Sequence, residues 1–125
     1  MEETYVEATF SNPYDLSKSI TFFSLVDADK ILTIIPESLA KDLGIKLEGR
    51  TPLITKKGNT LLGYTTLNIK IKGEEMPFNI LISRNLKKVV IGMVVLESFD
   101  YKVNPVKHTL EKVELEQYHS IQNFY

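Results

Sequence analysis

Hydrophobic and polar residues alternate with a period of two along most of this chain, the pattern of strands that bury one face. Residues 5–10 alternate in this way, with Tyr5, Val6, Ala8 and Phe10 among polar neighbours, and Asn12-Pro13-Tyr14-Asp15 reads as a turn. Residues 19–26 hold Ile20, Phe22, Phe23, Leu25 and Val26, too continuously apolar for an exposed edge, which predicts a buried second strand. Thr33-Ile34-Ile35 predicts a short third strand. The period then changes. Pro36 at a first helical position, Glu37 in the first turn, Leu39, Ala40 and Leu43 on one face and Gly44 as a left-handed stop together predict a helix.

Beyond that helix, residues 45–47 and 52–55 lead into a turn at Lys56-Lys57-Gly58-Asn59. Residues 60–72 form a long alternating strand, with Leu67, Ile69 and Ile71 on one face and Thr66, Asn68, Lys70 and Lys72 on the other. Gly73-Glu74-Glu75 is expected to close it as a hairpin onto residues 76–83. Val89-Val90-Ile91-Gly92 is apolar enough for a central strand, and residues 93–99 suit a short helix. Residues 101–114 return to strand character, interrupted at Asn104-Pro105, and 115–125 fit either a docked tail or a short helix. The sum is a mostly-β domain with one or two short helices.

Composition narrows the class. A chain of 125 residues holds one core and not two. A net charge of −1 gives no electrostatic reason to expect nucleic acid or an anionic membrane as partner. No apolar run approaches the roughly 18 to 20 residues of a membrane helix. The acidic N-terminus lacks the basic and apolar regions of a signal peptide, so a soluble cytoplasmic protein is expected. Cysteine is absent, which excludes disulfides and thiolate metal sites. His108 and His119 have no acidic companion at ligand spacing and read as surface residues. Lys56, Lys57, Lys70 and Lys72 are spaced by apolar residues and read as the solvated face of a hairpin.

The candidate chemistry lies at Asp27, delivered by an apolar run to the end of the second strand. A carboxylate there is costly unless it is paired, hydrogen-bonded or used. Asp27 and Asp29 are also residues that turns favour. As a hard-cation site the pair lacks further ligands in the loop, so no metal and no cofactor are implied. Neither a Gly-x-Ser-x-Gly elbow nor a Walker-type phosphate loop is present.

Several landmarks in register resemble the retropepsin-like (retroviral-type) aspartic proteases over roughly residues 4–112. Asp27-Ala28-Asp29 stands where that family has Asp-Thr-Gly, followed by Lys30. Pro36 and the run Leu43-Gly44-Ile45 are similar to the family's "IP", short helix and "LGI". The turn at Thr55, Lys56, Lys57, Gly58 and Asn59 resembles the flap that covers substrate. Val90-Ile91-Gly92 resembles the element that passes behind the catalytic loop, which would make Ile91 and Gly92 the loop's support. Leu96 to Phe99 and Val103-Asn104-Pro105-Val106 resemble the closing helix and the strand after it.

The resemblance implies a closed β-barrel or sandwich forming one half of an aspartic protease. Residues 1–125 would be a single domain, with 113–125 as a C-terminal extension that strengthens a dimer interface. It implies an endopeptidase in which two Asp27 carboxylates, one from each subunit of a homodimer, share a proton and activate water against an extended peptide. The motif is degenerate. Ala28 has no hydroxyl to tie the two loops together, and Asp29 adds a side chain and a charge where the family has glycine. Lys30 is a candidate to neutralise Asp29. The same resemblance therefore also fits an inactive dimer that binds peptides or serves in assembly.

Overall fold

The computed structural model describes residues 3–113, so nearly all of the expected C-terminal extension, including the segment 115–125, lies outside the described residues. Period-two patterning produces the first long hairpin, β1 (Thr4–Asn12) and β2 (Asp15–Val26), joined by the tight turn at Pro13-Tyr14. A short strand, β3 (Ile34–Pro36), runs into helix α1 (Glu37–Asp42). Pro36 caps this helix rather than opening it, and Gly44 ends the segment at φ +67°. Leu39, Ala40 and Leu43 are buried, and the Asn12 amide donates to the carbonyls of Leu43 and Gly44, tying the helix end to the first hairpin.

Next come β4 (Gly49–Thr55), β5 (Gly58–Ile71) and β6 (Glu74–Ser83), which pair antiparallel in sequence. The turn between β5 and β6 is Lys72-Gly73, one step earlier than the expected Gly73-Glu74-Glu75. Both residues have positive φ, 50° and 89°, the combination that a two-residue hairpin turn requires and that glycine supplies cheaply. The described chain closes with β7 (Val90–Ile91), α2 (Met93–Ser98) and a hairpin of β8 (Tyr101–Asn104) and β9 (Thr109–Lys112).

Pairing runs β1-β2-β7-β3-β6-β5-β4, and β1 also pairs with β5. The sheet thus closes into a ring of six strands from which β4 projects. Inward faces of the ring supply the core, including Phe10, Ile35, Leu67, Ile69, Ile71, Ile80 and Ile91. Phe99 seals one end, edge-on to Phe78 at 5.6 Å.

One expectation fails here. β2 is buried only from Ser24 to Val26, because β7 meets it only at Leu25 and Val26. The rest of β2 has β1 on one edge and solvent on the other, leaving Phe23 69% exposed. Phe23 instead stacks on Tyr5, with ring centroids 5.0 Å apart, which shields part of each ring.

At the closed end, Lys112 reaches the Glu74 carboxylate at 2.6 Å, donates to the Phe99 carbonyl and lies over the Tyr101 ring. The Glu74 contact holds the Lys112 pKa above the ordinary lysine value of 10.5. A cation whose pKa rises on folding stabilises the fold fully below the unfolded value and loses that effect as pH climbs through the folded one. Lys112→Met is therefore expected to lower the urea midpoint at neutral pH, with the gap to the native chain closing above about pH 10.5. Phe99→Ala, which empties a fully buried ring site, should cost about 3–5 kcal/mol in the same unfolding measurement.

Candidate active site

Strand β2 ends at Val26, and Asp27 is the first residue outside it. The Asp27 N–H still donates to the Ile91 carbonyl at 3.0 Å, so β7 fixes the backbone at the carboxylate. The chain then turns sharply. The Asp29 N–H donates to Asp27 Oδ1 at 3.0 Å, and the Lys30 N–H to the Asp27 carbonyl at 3.1 Å. This is an aspartate turn, in which a short side chain stands in for a backbone acceptor. Asp27 is half-buried while Ala28, Asp29 and Lys30 are exposed.

Asp29 stands where the resembled family has glycine. Its φ is not positive, so the backbone does not demand glycine within one chain. Its amide reaches the Asp27 carboxylate all the same. Among the described residues no ion pair joins Lys30 to Asp29, in contrast to the compensation expected of it. Both side chains stand in solvent, where a contact of adjacent charges gains little.

The rest of the loop is clamped from behind. The Met93 and Val94 N–H groups, which open α2 and have no partner within it, donate to the carbonyls of Lys30 and Ile31 at 2.7 and 3.1 Å. Gly92 lies directly against the loop. A Cβ there would sit 2.7 Å from the carbonyl carbon and oxygen of Leu32, closer than packed atoms allow. The Gly92 N–H donates to the hydroxyl of Thr33, a residue only 1% exposed, at 3.0 Å. The sequence pattern marks Thr33 only as strand. The signal that it does more is a polar side chain opening the Thr33-Ile34-Ile35 run.

The second candidate segment is the β4–β5 hairpin. Its turn is Lys56-Lys57, with Thr55 paired to Gly58, and Asn59 belongs to β5 opposite Ile54 rather than to the turn. Between this hairpin and the segment after β6 lies an open groove of about 680 Å3, a size suited to small ligands or a few peptide residues. Ile34, Leu53, Asn59, Leu61 and Leu86 are among its walls, together with Arg50 and Arg84. Sequence reasoning did not single out either arginine. A separate hollow lies beside the loop, with Asp27, Asp29, Glu3 and His108 on its rim and none of residues 55–59. Structure thus gathers Asp27 to Lys30 with Ile91 and Gly92, and places the hairpin apart from them in the single chain. Among the described residues no group of three or more His, Asp or Glu is arranged to hold a metal ion.

This arrangement of strands recurs in solved structures. The protease of EIAV in complex with the inhibitor HBY-793 superposes with a TM-score of 0.65 at 15% identity, over 82% of this chain and 93% of that one. A retropepsin-like aspartic protease from Rickettsia conorii gives 0.63 at 20% identity, covering 82% and 84%. The retroviral protease-like domain of Ddi1 from Leishmania major gives 0.63 at 14%, covering 90% and 85%. The fold is retropepsin-like. No protein-family model and no curated sequence matches the chain, so the likeness lies in backbone arrangement and not in overall sequence. Among the described residues the retropepsin-like domain has no helix long and apolar enough to cross a membrane.

Two substitutions test the clamp behind the loop. Gly92→Ala forces Leu32 and the loop outward and should cost about 1–3 kcal/mol in chemical unfolding. Thr33→Val keeps the shape but leaves the buried Gly92 N–H without its acceptor, an expected loss of about 1–3 kcal/mol. In either variant, amide exchange should quicken at Lys30 and Gly92 before the β5–β6 amides respond.

Proposed function

We propose that residues 1–125 form one half of an aspartic endopeptidase that works as a homodimer, with Asp27 of each subunit supplying half of the catalytic pair. In this reading a water molecule lies between the two carboxylates. One carboxylate takes its proton as it attacks the scissile carbonyl, and the other donates a proton to the carbonyl oxygen. The substrate is an extended polypeptide segment held by main-chain pairing beneath the β4–β5 hairpin, whose residues Thr55 to Asn59 cover it. Neither metal nor cofactor enters the reaction.

One observation carries the proposal: the Asp29 amide points at the Asp27 carboxylate although glycine is absent. The altered motif keeps the carboxylate oriented without backbone strain, and Ile91 and Gly92 hold the loop from behind. A second reading rests on Ala28 and Asp29. Without a hydroxyl at position 28, and with an exposed charge at 29, the two loops lack a tie and repel each other, which suits a peptide-binding or assembly dimer without catalysis.

Cleavage of a mixed peptide library from about pH 3 to 7 separates the two readings. Hydrolysis by the native chain that falls at least roughly 100-fold in Asp27→Asn supports the protease. A dimer that cleaves nothing until Ala28→Thr and Asp29→Gly are combined supports the binding module. A strict monomer in sedimentation experiments eliminates both. Asp29→Gly alone should tighten the dimer roughly fivefold at low salt by removing about 1 kcal/mol of charge repulsion, an effect that salt should suppress.

A further inference from the structure

Charge is distributed unevenly along this nearly neutral chain. Between positions 49 and 96 there are eight Lys and Arg and only two acidic residues, Glu74 and Glu75; the remaining positions carry seven basic and fourteen acidic residues. The fold turns that bias into geometry. Apart from Ile34 of β3, the lining of the groove beside the β4–β5 hairpin comes from this basic segment, one side from β4 and β5 and the other from the end of β6 and the residues after it. No acidic side chain lines the groove, whereas the hollow beside Asp27 has Glu3, Asp27 and Asp29 on its rim.

Within the groove the two guanidinium groups differ. Arg84 is engaged through Nε with Glu37 at 3.4 Å. Arg50 has no ion pair among the described residues and is exposed on β4. Ile34, Leu53, Leu61 and Leu86 line the same groove. A groove lined by an unpaired guanidinium and aliphatic side chains is matched by a side chain that is short, planar and anionic on an otherwise apolar segment. Nucleic acid is matched poorly, because the groove has no aromatic side chain on which a base would stack.

We propose that this groove selects an Asp or Glu side chain in the bound peptide, with Arg50 as the specificity-determining residue. The assignment rests on the peptide cleft argued under the proposed function and adds the chemistry of what that cleft prefers. The acidic residue would lie away from the Asp27 loop, next to apolar residues that cover Leu53 and Leu61. This arrangement also keeps the ligand's own negative charge clear of Asp27 and Asp29.

The test measures binding rather than turnover, so it stands whether or not the chain is an active enzyme. Fluorescein-labelled octapeptides carrying an apolar centre and either Glu or Gln at a flanking position are titrated against the full chain bearing Asp27→Asn. The expected result is about tenfold tighter binding of a Glu peptide than of its Gln twin, an advantage that shrinks with salt. Arg50→Gln should remove the difference, and Arg50→Glu should turn it in favour of a Lys peptide. Arg50 is exposed, so neither change threatens the fold. Equal affinity for the Glu and Gln twins, or a preference untouched at Arg50, overturns the charge assignment and leaves the peptide cleft standing. Arg50-dependent binding of a single-stranded oligonucleotide tighter than that of any peptide also overturns it. Failure of every peptide to bind a confirmed dimer overturns the cleft and this inference together.

Discussion

The arrangement depends on how closely the backbone of β7 passes the Asp27 loop. β7 is only two residues long, yet it lies between β2 and β3, parallel to one and antiparallel to the other. So short a strand contributes few ladder hydrogen bonds. Its position is fixed instead by the residue next to it in the chain: Gly92 presses against the Leu32 carbonyl with no room for a Cβ, and its N–H ends on the buried Thr33 hydroxyl. The start of α2 continues the clamp on Lys30 and Ile31. Loops are normally the mobile part of a domain, and a loop meant to aim a carboxylate has to be made an exception. Here three consecutive residues, Gly92 to Val94, do that through their backbone N–H groups and the missing Cβ of Gly92, and the one loop side chain they engage is the Thr33 hydroxyl.

The resemblance left two matters open after Asp27: whether the loop accommodates a side chain at position 29, and how two loops would meet without a hydroxyl at 28 and with a charge at 29. Within the chain the side chain is accommodated, because the Asp29 amide bonds the Asp27 carboxylate with no positive φ at position 29. Toward a second copy, Ala28 offers no donor and Asp29 adds charge on an exposed face. In the proposed dimer the two substitutions would therefore act on association rather than on the local fold.

Much of this was legible in the sequence, and the reasons it was or was not are physical. Leu67, Ile69 and Ile71 alternate because one face of β5 is core, and the pattern announced it. The helix after Pro36 and the break at Gly44 follow from two residues with restricted or unusual φ. Phe22 and Phe23 misled, because an apolar run looks the same whether a sheet or a neighbouring ring covers it. Thr33, Arg50 and Arg84 were not singled out because their surroundings depend on partners far along the chain: Gly92 for Thr33, Glu37 for Arg84, and the groove between the β4–β5 hairpin and the segment after β6 for both arginines. Local patterning records which face is buried and is silent about what lies opposite.

The separation of charge has a consequence for a symmetric assembly. A single chain places its acidic loop and its basic groove in different hollows that share no lining residue. In a twofold dimer joined near the Asp27 loops, two acidic loops would face each other at the axis while the two basic grooves lay farther out on either side. In such a dimer like charges at the axis would oppose association, and the basic flanks would attract an anionic segment that bridged both halves. A ligand of that kind would offset part of the repulsion between the loops, so ligand binding and dimer formation would reinforce one another. The same residues that weaken the empty dimer would then make assembly responsive to the peptide, a coupling that a tightly tied pair of loops would not need.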